Sequence, residues 1–127
     1  MNTMAVIAIG GALGAMTRYG TYLMAEKLLP APFLWGTFTV NLAGSFLIGV
    51  LWYFIESMTM AQNLRLFLAA GFLGSFTTFS AMSFETASLL RDGRIAAAAL
   101  YIGASFTLGI LCVFGGYALA KAFFHTA

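Results

Sequence analysis

Four long apolar stretches occupy almost the whole chain. They run over Met4 to Met24, Trp35 to Ile55, Leu66 to Leu90 and Ile95 to Phe124. A transmembrane helix needs about 20 predominantly apolar residues, so each stretch is long enough to cross a bilayer. Of the 127 residues, 61% are hydrophobic and 8% are charged, far from the usual composition of a soluble domain. The sequence predicts an all-α integral membrane protein, a single domain over residues 1–127 with four transmembrane helices.

Short polar segments separate these stretches and leave no room for a soluble domain. They are marked by Glu26, Lys27, Pro30 and Pro32, then by Gln62, Asn63 and Arg65, and finally by Arg91 to Arg94. The first stretch is expected to be a retained helix and not a cleaved signal peptide. No Lys or Arg precedes it, and three further apolar stretches follow.

The third stretch contains a polar, glycine-rich run that is unusual for a helix in lipid. In "GFLGSFTTFSAMSFE", residues 71 to 85, the first ten residues hold two glycines, two serines and two threonines. Backbone N–H and C=O groups in hydrocarbon need internal partners, so unwound backbone survives only where protein buries it or water reaches it. The run from Gly71 to Thr78 is therefore a candidate functional site.

The loop charges are nearly balanced across the membrane. In a four-helix topology Arg65 and Lys121 lie on one side, and Lys27, Arg91 and Arg94 lie on the other. Because Lys/Arg asymmetry normally sets orientation, this balance favours insertion in both orientations, which would permit an antiparallel homodimer. A single, weakly set topology is the alternative. The net charge of +2 indicates no nucleic-acid partner.

Small residues four apart occur on several stretches and allow close approach of helix backbones in lipid. They serve contacts either within one subunit or between subunits. The pairs are Gly10 with Gly14, Ser45 with Gly49, and Ser105 with Gly109.

Polar side chains inside the apolar stretches are candidate functional residues, because lipid makes them costly. Thr37, Asn41 and Ser45 recur every fourth residue and form one stripe on a helix, and Tyr101 shares a face with Ser105. Amide and hydroxyl groups are neutral donors that could replace water around an anion or join neighbouring helices.

Two charged residues lie within the apolar stretches. Arg18 and Glu85 either anchor helix ends or set the field of a permeation path. We expect Cys112 to be a packing residue, and we expect His125, which follows the last apolar stretch, to be in contact with water. No metal-ligand cluster, phosphate loop or nucleophile triad is visible, so the sequence does not predict an enzyme.

Three runs resemble the signature stretches of the small bacterial fluoride channels, the Fluc or CrcB family. They are "GALGAMTRYG" (11 to 20), "WGTFTVNLAGSFLIG" (35 to 49) and "GFLGSFTTFSAMSFE" (71 to 85), and "YIGAS" (101 to 105) matches on the fourth stretch. The resemblance implies a fluoride-specific channel in the bacterial inner membrane. It also implies an antiparallel, dual-topology homodimer with a third helix broken in mid-membrane.

The resemblance further assigns roles to individual residues. A structural sodium ion at the dimer centre would be held by the backbone carbonyls of Gly74 and Thr77. The pore would include Asn41, the aromatic Phe79 and the hydroxyl of Ser105. We add Thr37 and Tyr101 as candidates, because they share helix faces with Asn41 and Ser105. Glu85 and Arg18 match the family's acidic and basic positions.

One position departs from the family pattern. The second phenylalanine of the usual pair is replaced by Met82, which still shares a helix face with Phe79. An aromatic ring has a positive edge that can meet an anion, whereas a thioether offers only weaker polarisation. The contribution of Met82 to the pore is therefore an open question.

A small dual-topology, proton-coupled multidrug exporter is the alternative function. Such a protein needs an ionisable carboxylate near the midplane, but Leu13, Gly14 and Ala15 occupy the middle of the first stretch. A scaffold without transport is a third possibility, and it leaves the polar run in the third stretch without a role.

The balanced charges make a prediction about orientation. Tags at the C-terminus should be accessible from both sides of the membrane in comparable amounts, as measured by impermeant labelling of cells and inverted vesicles. Two or three lysines added after Ala127 should push the population to one orientation and lower activity. Full activity in cells with a demonstrated single orientation would contradict the antiparallel dimer.

Overall fold

The computed structural model describes residues 2–29 and 34–124, and within these ranges the regular structure is helical. The sequence predictions about Pro30, Pro32 and His125 lie outside the described residues. Three helices are long and continuous, and a fourth helical region covers residues 62–91 in several pieces. The continuous helices are α1 (Thr3–Leu28), α2 (Trp35–Ser57) and α6 (Ile95–Phe124).

The region between α2 and α6 is made of four helical segments. They are α3 (Gln62–Arg65), a π-helical segment (Leu66–Leu73), α4 (Gly74–Phe76) and α5 (Phe79–Arg91). Between α4 and α5 the backbone is extended, with φ −81° and ψ 159° at Thr77 and φ −150° and ψ 115° at Thr78. The helical geometry is thus interrupted within the run that the sequence marks as unusual.

Two connections differ from their predicted positions. α1 continues to Leu28, so Glu26 and Lys27 are helical, and a basic residue in the last turn suits the negative end of the helix dipole. The predicted polar connection at Gln62 to Arg65 is instead the first helical turn, closed by a bond from Arg65 N–H to Ala61 O of 3.1 Å. Polar side chains at an exposed helix end can hydrogen-bond to water while their backbone is helical, so polarity alone does not mark a loop here.

The predicted turn after α5 is confirmed. Gly93 has a φ of 75°, and Arg94 N–H donates to Leu89 O at 2.8 Å. Glycine adopts this left-handed conformation without strain, and the bonds it permits satisfy carbonyls at the helix end. The turn returns the chain directly into α6.

Three of the helical regions are long and apolar enough to cross a membrane, namely Trp35–Ser57, Gln62–Arg91 and Ile95–Phe124. The outer surface suits lipid: large side chains on α6 such as Leu100, Ile110 and Phe114 are more than half exposed. α1 is of similar length but includes Arg18. That α1 also crosses the membrane stays a prediction.

Small residues let the helices pack closely within one chain. α1 lies against the π-helical segment, where a Cβ on Gly10 would come within 2.5 Å of Phe67 O and one on Gly14 would overlap Phe72 O. α2 packs most extensively on α6, with Gly49 against Val113 O. Of the two uses left open by the sequence, these glycines serve packing inside the subunit.

Replacing Gly14 by alanine should destabilise the chain by about 1–3 kcal/mol, because the new methyl group meets backbone atoms of Phe72 that cannot move alone. Gly115→Ala is a matched control, since a Cβ at that helical position would have no atom within 4 Å beyond its chain neighbours and the backbone of its own helix. Thermal unfolding in detergent measures both variants. Equal melting temperatures for the two variants would contradict the close contact between α1 and the π-helical segment.

Candidate functional site

Glu85 of α5 is held by hydroxyl groups from two other helices. Thr37 Oγ1 on α2 donates to Glu85 Oε1 at 2.7 Å, and Tyr101 OH on α6 donates to Glu85 Oε2 at 2.7 Å. Both donors are buried, with exposed fractions of 2% and 5%. Hydrogen bonds to an ionised acceptor are stronger than neutral ones, so this arrangement fixes the carboxylate and ties three helices together.

Tyr22 of α1 extends this network, and sequence reasoning missed it. Its hydroxyl lies 3.1 Å from Thr37 Oγ1. Because Thr37 has one hydroxyl hydrogen and donates it to Glu85, Tyr22 must be the donor to Thr37. Gly36 makes the approach possible, since a Cβ there would lie 2.6 Å from the Tyr22 ring. The sequence signal that could have identified Tyr22 is its position four residues after Arg18, one helical turn along the same face.

Asn41 of α2 pairs with the extended backbone between α4 and α5. Its Nδ2 donates to Thr78 O at 3.0 Å, and its Oδ1 accepts from Thr78 N–H at 2.8 Å. In a continuous helix Thr78 N–H would donate to the carbonyl of Gly74. The side-chain amide of Asn41 therefore replaces the helical partners of Thr78, and the Gly74 carbonyl does not receive the N–H of Thr78.

The side chain of Thr78 starts the next helix. Its Oγ1 accepts from Ala81 N–H at 3.1 Å, which is an N-cap bond to the third residue of α5. Thr77 Oγ1 instead donates back to Leu73 O at 2.9 Å. The two threonines thus end one helix and begin the other.

The carbonyls named as possible cation ligands lie at this interruption. Gly74 and Thr77 both line the cavity described below. Arg18 of α1 reaches the same place, with Nη1 3.5 Å from Thr77 O, the outer limit of hydrogen bonding. Hard cations such as sodium favour carbonyl oxygens, so the donor type fits. A carbonyl oxygen has two lone pairs, so the long contact with Arg18 uses at most one of those on Thr77 O.

A cavity of about 460 Å³ opens beside the interruption. Its walls come from α2, the π-helical segment, α4, the extended backbone after it, α5 and α6, and they are mostly apolar with a few hydroxyl and amide groups. Phe79 is 71% exposed and Met82 is 7% exposed, although both line the cavity. The other lining residues with polar side chains are Asn41, Ser45, Thr77, Thr78 and Ser105.

The structure divides the predicted pore residues between two places. Asn41, Phe79, Met82 and Ser105 line the cavity, whereas Thr37 and Tyr101 bind Glu85. The predicted stripe on α2 faces both sites, with Thr37 at the Glu85 network and Ser45 at the cavity. Which of these groups an ion contacts stays a prediction.

Taken together, the structure is a small helical membrane bundle with neutral donors gathered beside interrupted backbone. Residues 5–117 match the model of the CrcB-like protein, Camphor Resistance (CrcB) family. The chain belongs to this family, which is a channel family and not an enzyme family.

Similar proteins are found in several organisms. The chain is 45% identical over 126 residues to a fluoride-specific ion channel FluC of Hyphomonas neptunium, covering 98% of this chain and 99% of the relative. It is 43% identical to one of Thermus thermophilus, over 96% and 98% of the two chains. It is 44% identical to one of Bacteroides fragilis, over 97% and 99%.

The pairing of Asn41 with Thr78 makes a stability prediction. Asn41→Ala should destabilise the chain by about 1–3 kcal/mol, because it leaves a partly buried N–H and C=O of Thr78 without partners. Asn63→Ala, at an exposed position in α3, is the control and should change little. Thermal unfolding and protease resistance measure the effect. An Asn41→Ala protein as stable as the control would contradict a structural role for this amide.

Proposed function

We propose that this chain is a fluoride channel that lets fluoride leave the bacterial cell passively and so protects the cell from fluoride toxicity. It is a multi-pass membrane channel, and relatives over nearly its full length carry the name fluoride-specific ion channel. The cavity supports this function because its polar groups are neutral donors. A small anion that loses its water there meets N–H, O–H and ring edges.

The observation that carries the proposal is the hydroxyl of Ser105. Its Oγ is buried and is the one such side-chain N or O atom without a hydrogen-bond partner in residues 2–29 and 34–124. Other helical hydroxyls donate to the carbonyl four residues earlier, as Thr86 does to Met82 O at 2.7 Å and Ser83 to Phe79 O at 3.0 Å. Ser105 lines the cavity, and its O–H can donate to an acceptor that enters the cavity. Fluoride is such an acceptor.

The remaining walls favour weak binding and therefore release. Phe79 lines the cavity and is largely exposed, and the edge of its ring carries partial positive charge. Asn41 uses one of its two amide hydrogens on Thr78, so the other is left for an anion. Conduction needs binding that is favourable enough for entry and weak enough for exit. Neutral donors and ring edges meet this requirement better than a bare cation.

Arg18 and Glu85 set the field around the path. The guanidinium of Arg18 lies at the interruption and attracts an anion toward it. The carboxylate of Glu85 accepts from Thr37 and Tyr101, so both of its oxygens face donors and its repulsion of a passing anion is reduced. The two charges together leave the path near neutral.

We infer that the working unit is an antiparallel homodimer with dual topology. The near balance of Lys and Arg between the two sides supports it. The glycines of α1 and α2 are used in packing within the chain, whereas the cavity side carries exposed side chains such as Phe79 and Phe106. A second copy on this side would close each cavity into a pore.

The same dimer would bring two interruptions together in mid-membrane. Gly74 and Thr77 of each chain would then offer four carbonyl oxygens, a donor set suited to a structural sodium ion. The Gly74 carbonyl lacks the donor Thr78 would give in a helix, which supports its availability. Bound sodium would supply fixed positive charge that holds the two copies together.

Fluoride export through such a pore needs no coupling ion. A membrane potential that is negative inside favours anion exit by about 2.3 kcal/mol per charge per 100 mV. The flux is therefore passive and electrogenic. This separates the channel from a proton-coupled exporter.

Purified protein in liposomes loaded with potassium fluoride should release fluoride when valinomycin lets potassium follow, as recorded by a fluoride electrode. Without valinomycin the release should be small, because charge builds up. Chloride-loaded liposomes serve as the control for general leakage. Flux that depends on a proton gradient at clamped potential would overturn the channel function.

The same assay separates the roles of the ring and the thioether. Phe79→Ile should reduce flux by about tenfold or more with the dimer intact, because the ring edge is lost. Met82→Phe should keep or raise flux, since methionine fills a similar space. A loss in Met82→Ile but not in Met82→Phe would place Met82 in the path, and no change in either would make it a packing residue. Gel filtration checks assembly, and wild-type flux in Phe79→Ile would contradict the ring-edge account.

A further inference from the structure

A second polar cluster lies at the ends of α2 and α6, outside the cavity. Trp52 Nε1 donates to Glu56 Oε1 at 2.7 Å, and Tyr117 OH donates to Glu56 Oε2 at 2.9 Å. The rings of Trp52 and Tyr117 lie with centroids 4.9 Å apart and planes inclined at 50°. We call Trp52, Glu56 and Tyr117 the Glu56 cluster. None of the three lines the cavity beside the interruption.

The position of Glu56 is electrostatically unfavourable for a lone carboxylate. It lies in the last turn of α2, where the exposed carbonyls already carry partial negative charge, and that turn has no basic residue. Glu56 does not take part in the ion pair that joins Arg91 and Asp92. The cluster therefore combines a carboxylate with a helix C-terminus, and the two side chains that donate to the carboxylate, Trp52 and Tyr117, are neutral.

The surroundings of the carboxylate are aromatic and accessible. Glu56 is exposed, and Trp52 and Phe114 are 40% and 58% exposed. Trp52 packs on Phe114 with ring centroids 6.4 Å apart, and Tyr53 packs on Tyr117 at 5.8 Å. Aromatic faces attract cations, and Trp and Tyr concentrate where a helix leaves the hydrocarbon for the headgroup region.

We propose that the Glu56 cluster binds the ammonium group of a phosphatidylethanolamine headgroup. The carboxylate has about four acceptor positions, of which Trp52 and Tyr117 use two. A primary ammonium carries three N–H donors, enough to fill the positions that remain. Lys121 is exposed and lies one helical turn beyond Tyr117, on the same face of α6. It is placed to meet the phosphate of the same zwitterionic lipid.

The chemistry distinguishes ethanolamine from other headgroups. Choline is also a cation that aromatic faces attract, but it has no N–H to donate to the carboxylate. Phosphatidylglycerol has no cation for Glu56, so only the contact of its phosphate with Lys121 remains. Retention should therefore fall in the order ethanolamine, choline, glycerol when the acyl chains are the same.

Native mass spectrometry of the full chain in detergent, titrated separately with the three lipids, tests this order. Glu56→Gln should lower retention of phosphatidylethanolamine by about threefold to tenfold and leave phosphatidylglycerol unchanged or slightly raised. Asp92→Asn is the matched control, because Asp92 is an exposed carboxylate at another helix end that already pairs with Arg91. It should retain the lipids as the wild type does.

Trp52→Phe is the second variant and keeps a ring while removing the N–H that orients Glu56. It should lower phosphatidylethanolamine retention by a smaller factor than Glu56→Gln. Unchanged retention in Glu56→Gln would overturn the proposal. A change in subunit association with no change in lipid retention would also overturn it, because Glu56 would then meet a second copy of the chain. Fluoride release from liposomes verifies that each variant is folded.

Discussion

The bond pair between Asn41 and the backbone of Thr78 makes the interruption in the helical backbone possible. A polar backbone group in lipid must find a partner inside the protein, and an extended residue in a helix loses its helical partners. The Asn41 amide offers a donor and an acceptor on one rigid group, so it satisfies both backbone groups of Thr78. Thr78 then caps α5 with its own side chain. Because Thr78 N–H bonds to the Asn41 side chain, it does not bond to the Gly74 carbonyl, which lies beside the cavity.

The position of Asn41 depends in turn on close packing of the helices. α2 lies tightly on α6 because Gly49 and Gly116 let the two backbones approach, and α1 reaches the π-helical segment through Gly10 and Gly14. Lipid supplies no hydrophobic drive between helices, so close van der Waals contact and polar bonds must hold the bundle. The glycines therefore set the distances at which the polar side chains meet.

The polar groups of the chain differ in how completely they are hydrogen-bonded, and the proposed roles follow this difference. Glu85 is bound by Thr37 and Tyr101, and Thr37 in turn accepts from Tyr22, so this network joins α1, α2, α5 and α6. Ser105, in contrast, is buried beside the cavity with its hydroxyl unpartnered. A buried polar atom without a partner costs free energy unless a ligand completes it. The proposed fluoride path follows from this contrast.

The sequence by itself determined the helical membrane class and the family, because apolar length and short motifs act locally along the chain. It also marked the run of Gly, Ser and Thr in which the backbone at Thr77 and Thr78 is extended. It also named polar residues that the structure places at the cavity or at Glu85, and their contact with an ion stays a prediction. Only the tertiary structure decided their partners. Helical spacing put Thr37, Asn41 and Ser45 on one stripe, but which helix each side chain faces depends on crossing angles set by distant glycines. For the same reason Tyr22 was missed, since its bond to Thr37 joins two helices whose contact no local pattern specifies.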